Sequence, residues 1–337
     1  MLGGIFFVEN QEIAVKRYFD LCVPLSLVYF LMKSEFTTEN RWIIVRSISI
    51  FSGLVALCGI LELVFQKNPL YEYPGVFDLY YYAFVGKRAI STQTHPAALG
   101  SYLVVCLPFW LLLIKRKIRF DRWLGVSCLI VGMSGLILTF SRGSLFGSIA
   151  AFGVYFWQKN RTLFIKYGIV IVGTFIFIFS VVKAPYVFQR FGIQGLAQTN
   201  LYEIRIAQVL TSYRMLRDRP FTGVGLEHFK IKYNEYSPFE KHEDGKTPDN
   251  VYLLFLAEAG IIGFLGFIFF IVSLLKKGFR RFYSAATGEE SKNILIAILA
   301  GLVGLLVNMN TYDLLYWVNP LLFFGILAGM VSAYYDV

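Results

Sequence analysis

Long apolar runs recur through this chain at roughly 18–32, 43–65, 97–114, 123–140, 144–157, 164–182, 250–275, 293–309 and 315–335. No other feature restricts the fold as strongly. A run of about 20 apolar residues crosses the hydrocarbon of a bilayer as a helix. Helices are the only solution for such runs, because lipid offers the backbone no hydrogen-bond partner. The runs at 18–32 and 144–157 are short, so their ends are the least defined. Composition agrees: 56% of the 337 residues are hydrophobic, 18% aromatic and only 16% charged, unlike a soluble domain. We therefore expect an all-α, polytopic integral membrane bundle of about nine spans, forming a single membrane domain over 1–337.

Basic residues set the expected orientation. Lys115, Arg116, Lys117, Arg119 and Arg122 fill one short connection. Lys159, Arg161 and Lys166 fill the next on the same side, and Lys276, Lys277, Arg280, Arg281 and Lys292 a third. Nine alternating spans put all three on one face, which the positive-inside rule makes cytoplasmic. The net charge of +10 then reflects membrane anchoring, and no nucleic-acid partner is expected. The opposite face receives 66–96, the Ser141-Arg142-Gly143 turn, the long loop 183–249 and the turn near Asn310–Tyr312. This parity puts the N-terminus outside beside Lys16 and Arg17, and the opening MLGGIFFVENQ resembles the tail of an earlier segment. We expect further helices upstream. No cleavable signal pattern opens the sequence. Cys22, Cys58, Cys106 and Cys128 lie inside apolar runs without CxxC spacing, so neither a disulfide framework nor a metal site is expected.

The 183–249 loop is the one region polar and large enough to carry structure of its own. From Leu201 to Arg219 it reads as an amphipathic helix, with Ile206, Leu210, Tyr213 and Leu216 on its apolar stripe. Asn200 is placed to cap it. Pro220 stops it, and Gly223 and Gly225 supply a turn.

Several side chains could carry chemistry. Arg142, between two apolar runs at the outer edge, is a functional residue by default, or it snorkels to lipid phosphate. Arg205 and Arg214 lie nine residues apart, on nearly opposite faces of the loop helix. Arg214, with Arg217 and Arg219, fits a solvated face, whereas Arg205 is expected to border the buried side. Arg88 and His95 stand at the outer start of the third span, where a histidine commonly serves helix entry. Asp249 and Asn250 open the seventh span. Asp249 is either a cap or a functional carboxylate beside the arginines, with Glu258 two turns further in. His228 and His242 lie in the loop without metal-ligand spacing. Arg46 and Glu62, near the ends of the second span, are expected to snorkel.

Taken together, three motifs resemble the O-antigen ligase and polymerase family of bacterial polysaccharide enzymes. They are the Ser141-Arg142-Gly143 turn; Arg205 followed by Pro220 and TGVGLEHF, similar to R…P-x-x-G-x-G-x-x-F; and DNVYLLFLAEAGIIGFLGF, similar to H/D-N-x-x-L…E-x-G-x-x-G. RAISTQTHPAALGSYL resembles a common upstream element. The resemblance covers roughly 88–270.

It implies a GT-C-like, metal-independent glycosyltransferase without cofactor, in the bacterial plasma membrane, with its site on the extracytoplasmic face. Arg142 and Arg205 would hold the pyrophosphate of an undecaprenyl-linked glycan. Arg88, His95, Arg214 and Asn250 would be further substrate-binding residues. Ligases carry His where this chain has Asp249, which favours a polymerase of repeat units, with Asp249 preparing the acceptor hydroxyl. A ligase acting on a lipid or protein acceptor is the alternative, and a flippase for the lipid-linked sugar a further one. Other polysaccharide-assembly proteins would be partners. A flippase is expected to show broken helices at mid-membrane and internal repeats, and neither is evident in the sequence.

Overall fold

The computed structural model describes residues 10–65, 88–93, 95–159, 199–238 and 247–334. Among these every regular element is helical: α1 (Gln11–Glu35), α2 (Arg41–Phe65), α3 (Pro96–Ile114), α4 (Arg119–Leu138), α5 (Arg142–Lys159), α6 (Thr199–Asp218), α7 (His228–Tyr236), α8 (Val251–Phe282), α9 (Glu289–Asn308) and α10 (Val318–Ala333). A 3₁₀ turn, Leu314–Tyr316, precedes α10. The span expected at 164–182 and the loop residues around His242 lie outside the described residues. By length and composition α2, α3, α4, α8 and α9 are able to cross a membrane. The helices α1, α5 and α10 stand where three further spans were expected but do not meet that measure, α10 being 16 residues long.

The chain gathers into two compact units. One comprises residues 1–18 and 156–267, the other 19–155 and 268–337. The second is built around α3. That helix is apolar on every side, which suits only a position enclosed by other helices, and 94% of its apolar window is buried. The helices α2, α4, α9 and α10 pack on it.

Around this centre the usual amphipathic pattern is inverted. The inward face of α2 is Val45, Ser49, Ser52, Ala56, Gly59 and Glu62, while Ile43, Phe51, Leu54 and Val64 are exposed. Likewise α4 turns Gly125, Cys128, Gly132 and Gly135 inward. Small and polar residues inside, large apolar ones outside, is the packing expected when the surrounding solvent is lipid. The Trp110 indole lies against Gly132 and donates its N–H to Ser52 Oγ at 2.9 Å.

Two expected snorkelling residues turn inward instead. Arg46 makes a two-pronged ion pair with Asp121, at 2.7 and 3.0 Å, and Arg116 reaches the same carboxylate at 3.2 Å. Asp121 is fully buried, and two guanidinium groups supply the compensation that a buried charge requires. Glu62, 3% exposed, accepts the amides of Ile90 and Ser91 at 3.1 and 2.7 Å. It therefore ties the segment before α3 to the end of α2.

Candidate functional site

Within the first unit, α6, the Gly-rich turn, α7 and the start of α8 form one hydrogen-bonded assembly. The helix α8 is broken at Gly260, whose φ of 64° and ψ of −172° are non-helical. This departs from the expectation of unbroken helices, and the cause is local. The carbonyls of Ala257 and Glu258, orphaned by the break, accept the amides of Val224 and Gly225 at 2.9 and 3.0 Å, and Ile261 N donates to Pro220 O at 2.8 Å. Gly223 also has positive φ, at 68°, and a Cβ there would sit 2.5 Å from Glu258 backbone atoms. A Cβ on Gly260 would likewise meet Phe221 backbone. Two sequence motifs more than 30 residues apart are thus one backbone-to-backbone joint, with positive-φ glycine on both sides. Because protein backbone fills this break, it offers none of the cavity that a discontinuous transport helix lines.

Side chains finish the joint. Glu258, 2% exposed, accepts the Phe229 amide at 3.2 Å, a carboxylate at the positive N-terminus of α7. Phe229 is fully buried. Glu227, in left-handed conformation, pairs with Arg17 at 3.2 Å. His228 is buried, and its Nδ1 lies 2.8 Å from Leu226 O.

The start of α8 separates two residues that the sequence left ambiguous. Asn250 Oδ1 accepts the amides of Tyr252 and Leu253 at 2.9 and 3.1 Å, so Asn250 is the cap. The Asp249 amide donates to Gln208 Oε1 at 3.3 Å, and Gln208 Nε2 donates to Thr247 O at 2.9 Å. That anchorage leaves the Asp249 carboxylate 4.0 Å from Arg205, with side chains 39% and 62% exposed.

The Arg205 side chain is exposed, yet it borders the buried side of α6, since Gln208 and Ser212 follow it at i+3 and i+7 and are buried. The buried face of α6 is Ala207, Gln208, Thr211, Ser212 and Met215, whereas Leu210 and Tyr213 of the expected stripe are exposed. Hydrogen bonds of Gln208 to the 247–249 segment turn this polar face inward. Asn200 falls inside α6 rather than before it, a shift of the size common at helix ends. Arg214 donates to Tyr236 O at 3.1 Å. The Tyr236 hydroxyl donates to Asp218 at 2.6 Å, and burial together with that carboxylate pushes the phenol up to about 12.

The second unit brings Arg88, His95 and Arg142 to one end of its bundle. Arg88 donates to Thr139 O at 2.8 Å, a cation at the negative C-terminus of α4. His95 Nδ1 accepts the Ala97 amide at 3.1 Å, which caps α3 and keeps the proton of the neutral ring on Nε2. Arg142, half-buried, opens α5.

The turn that carries Arg142 is held by residues with no role in the sequence reading. Ser144 Oγ donates to Ser141 Oγ at 2.9 Å, Asn308 Nδ2 to Ser144 Oγ at 3.2 Å, and Thr311 Oγ1 to Asn308 Oδ1 at 3.1 Å. A side chain on Gly143 would overlap Thr311. Tyr312, Asp313 and Trp317 follow at once. Their only signal in the sequence is a polar and aromatic stretch, MNTYDLLYWVNP, between two apolar runs.

Among the described residues no group of three or more His, Cys, Asp or Glu is placed to hold a metal ion. Helices apolar enough to cross a membrane, inverted packing and polar clusters confined to helix ends define a multi-pass helical membrane protein. Residues 127–268 match the model of a family described as O-antigen ligase. Through that stretch the chain is similar to the O-antigen ligase family. The match takes in Arg142, Arg205, Asp249 and the joint at Gly260. No curated protein matches the chain.

Proposed function

We propose that the chain is a glycosyltransferase of the extracytoplasmic face of the bacterial plasma membrane. Its donor is a glycan on undecaprenyl pyrophosphate, and its activity is the joining of repeat units of a surface polysaccharide. The whole chain would serve as one membrane domain, with 183–249 as its catalytic loop. The observation that carries this reading is the approach of Asp249 to Arg205 inside the family-matched stretch, on a carboxylate positioned through its own backbone by Gln208.

The acceptor hydroxyl oxygen attacks C1 of the donor sugar. The C1–oxygen bond to pyrophosphate breaks, and its electron pair leaves with undecaprenyl pyrophosphate. Arg142 and Arg205 hold that growing charge by charge-assisted hydrogen bonds, so no metal ion takes part. Asp249 takes the hydroxyl proton. Arg88, His95, Arg214 and Asn250 would be contributors to substrate binding; the partners of Arg88 and Arg214 on main-chain carbonyls favour positioning roles for those two.

A ligase transferring finished chains to a lipid or protein acceptor is the second reading, favoured by the description of the matching family. Glycan length in a deletion strain separates the two: single unpolymerised repeats support the polymerase, and long unattached chains support the ligase. A wild-type glycan profile would refute both.

A further inference from the structure

Three aromatic rings meet beside the Arg142 turn. His95 and Tyr312 stack at 4.4 Å with planes 8° apart. Trp317 lies 5.9 Å from Tyr312 at 24° and 5.7 Å from His95 at 31°. The three planes are close to parallel, and all three side chains are partly exposed. Two of the rings are fixed by polar partners: His95 through the Ala97 amide, and Trp317 through its N–H to Asp313 Oδ1 at 3.2 Å. Asp313 is itself 8% exposed. Asn319 Nδ2 donates to Gln93 Oε1 at 2.7 Å at the same turn. Gly143 abuts Thr311, so the chain neighbours of these two residues are Arg142 and Tyr312.

We infer that an outer face of the His95, Tyr312 and Trp317 stack receives a pyranose ring, the sugar attached directly to the pyrophosphate of the donor. This rests on the pyrophosphate role proposed for Arg142. The sugar next to a phosphate gripped by Arg142 lies close to that residue, and the turn carrying Arg142 abuts the turn carrying Tyr312 through Gly143 and Thr311. Pyranoses present a flat face of C–H groups to aromatic rings and hydroxyls around the rim, and Tyr and Trp offer an apolar body with a polar tip to match. The exposed Asn319, two residues after Trp317 and bonded to Gln93, offers a polar group to the hydroxyl rim. Aromatic residues also anchor proteins at membrane interfaces, but an anchor needs neither parallel rings nor a buried carboxylate fixing one indole. Tyr312 and Trp317 lie outside the residues matched by the family model.

The test uses the full chain in lipid nanodiscs and three probes: undecaprenyl pyrophosphate alone, and the same carrier bearing N-acetylglucosamine or glucose. The wild type should bind at least one sugar-bearing carrier about tenfold more tightly than the bare one, the size of gain ring stacking supplies. Tyr312→Leu and Trp317→Leu should remove that increment and leave bare-carrier binding intact, which also shows that the variants fold. Tyr312→Phe should keep it. If neither sugar adds affinity in the wild type, or if both leucine variants retain the increment, the platform is overturned. Arg142→Ala should weaken binding of every probe. Unchanged binding in that variant sinks the pyrophosphate reading on its own.

Discussion

Asn250 supplies the oxygen that caps α8, while Asp249 faces Arg205, so substitutions at these adjacent positions should give different phenotypes. Asp249→Asn keeps the size and the backbone anchorage to Gln208 but removes the basic oxygen. Turnover should fall by about 10²–10⁴-fold, the usual worth of a general base, with membrane levels unchanged. Asn250→Ala should instead lower stability by about 1 kcal/mol, as loss of a cap does, visible as a lower melting temperature in detergent. Near-normal turnover in Asp249→Asn would return that residue to a structural role. The exposed Arg205–Asp249 pair contributes little to stability, about 0–1 kcal/mol, so its loss should register in catalysis rather than in folding. At Arg142 and Arg205, lysine should rescue poorly, because a point charge does not reproduce the two-pronged grip of guanidinium on phosphate. Full glycan output from Arg205→Ala would discard the pyrophosphate role of that residue. Arg217→Ala, on an exposed position of α6, should be silent in the same assay.

At the scale of elements, the joint between the 220–225 turn and broken α8 is the most demanding feature of the first unit. Gly260→Ala and Gly223→Ala each force a Cβ into backbone at positive φ, at a conformational cost of about 1–3 kcal/mol before any steric overlap. Both should reduce the amount of protein recovered from membranes. Recovery and melting temperature equal to wild type would show that the turn and α8 are not coupled in this way. Glu258→Gln retains an acceptor for the Phe229 amide and should be much milder than Glu258→Ala, which leaves the first turn of α7 without its carboxylate. The glycines of these two motifs and Glu258 form a structural device that holds α6, α7 and the start of α8 together. The residues with chemistry to offer stand beside it.

For the whole molecule, orientation is the property to test. Cysteine placed at Ser237 should react with a membrane-impermeant thiol reagent in intact cells, and cysteine at Lys117 only after lysis. The reverse pattern would overturn the topology. At the basic end of the second unit, Asp121→Ala leaves Arg46 and Arg116 facing a vacated carboxylate position. Both guanidinium groups then lose their shared partner, so accumulation should drop while activity per surviving molecule is retained.

The sequence by itself determined that the chain is helical and membrane-borne, where its polar segments fall, and which family it resembles. Those properties follow from run length, hydropathy and short-range spacing, which are local quantities. The helix expected at 201–219, the stop at Pro220 and the turn at Gly223 and Gly225 were legible for the same reason, whereas the break at Gly260 was not. Tertiary structure alone decided which face of α6 is inward, because the hydrogen bonds of Gln208 to Thr247 and Asp249 reach across about 40 residues. It also decided that Asn250 is the cap, which the sequence left open at Asp249, and it made Arg46 a half-buried partner of Asp121 and Glu62 a buried partner of the 90–91 amides. The ring cluster of His95, Tyr312 and Trp317 joins positions more than 200 residues apart. No periodicity links such positions, since only the packing of α9 and α10 on α3 brings that turn to His95.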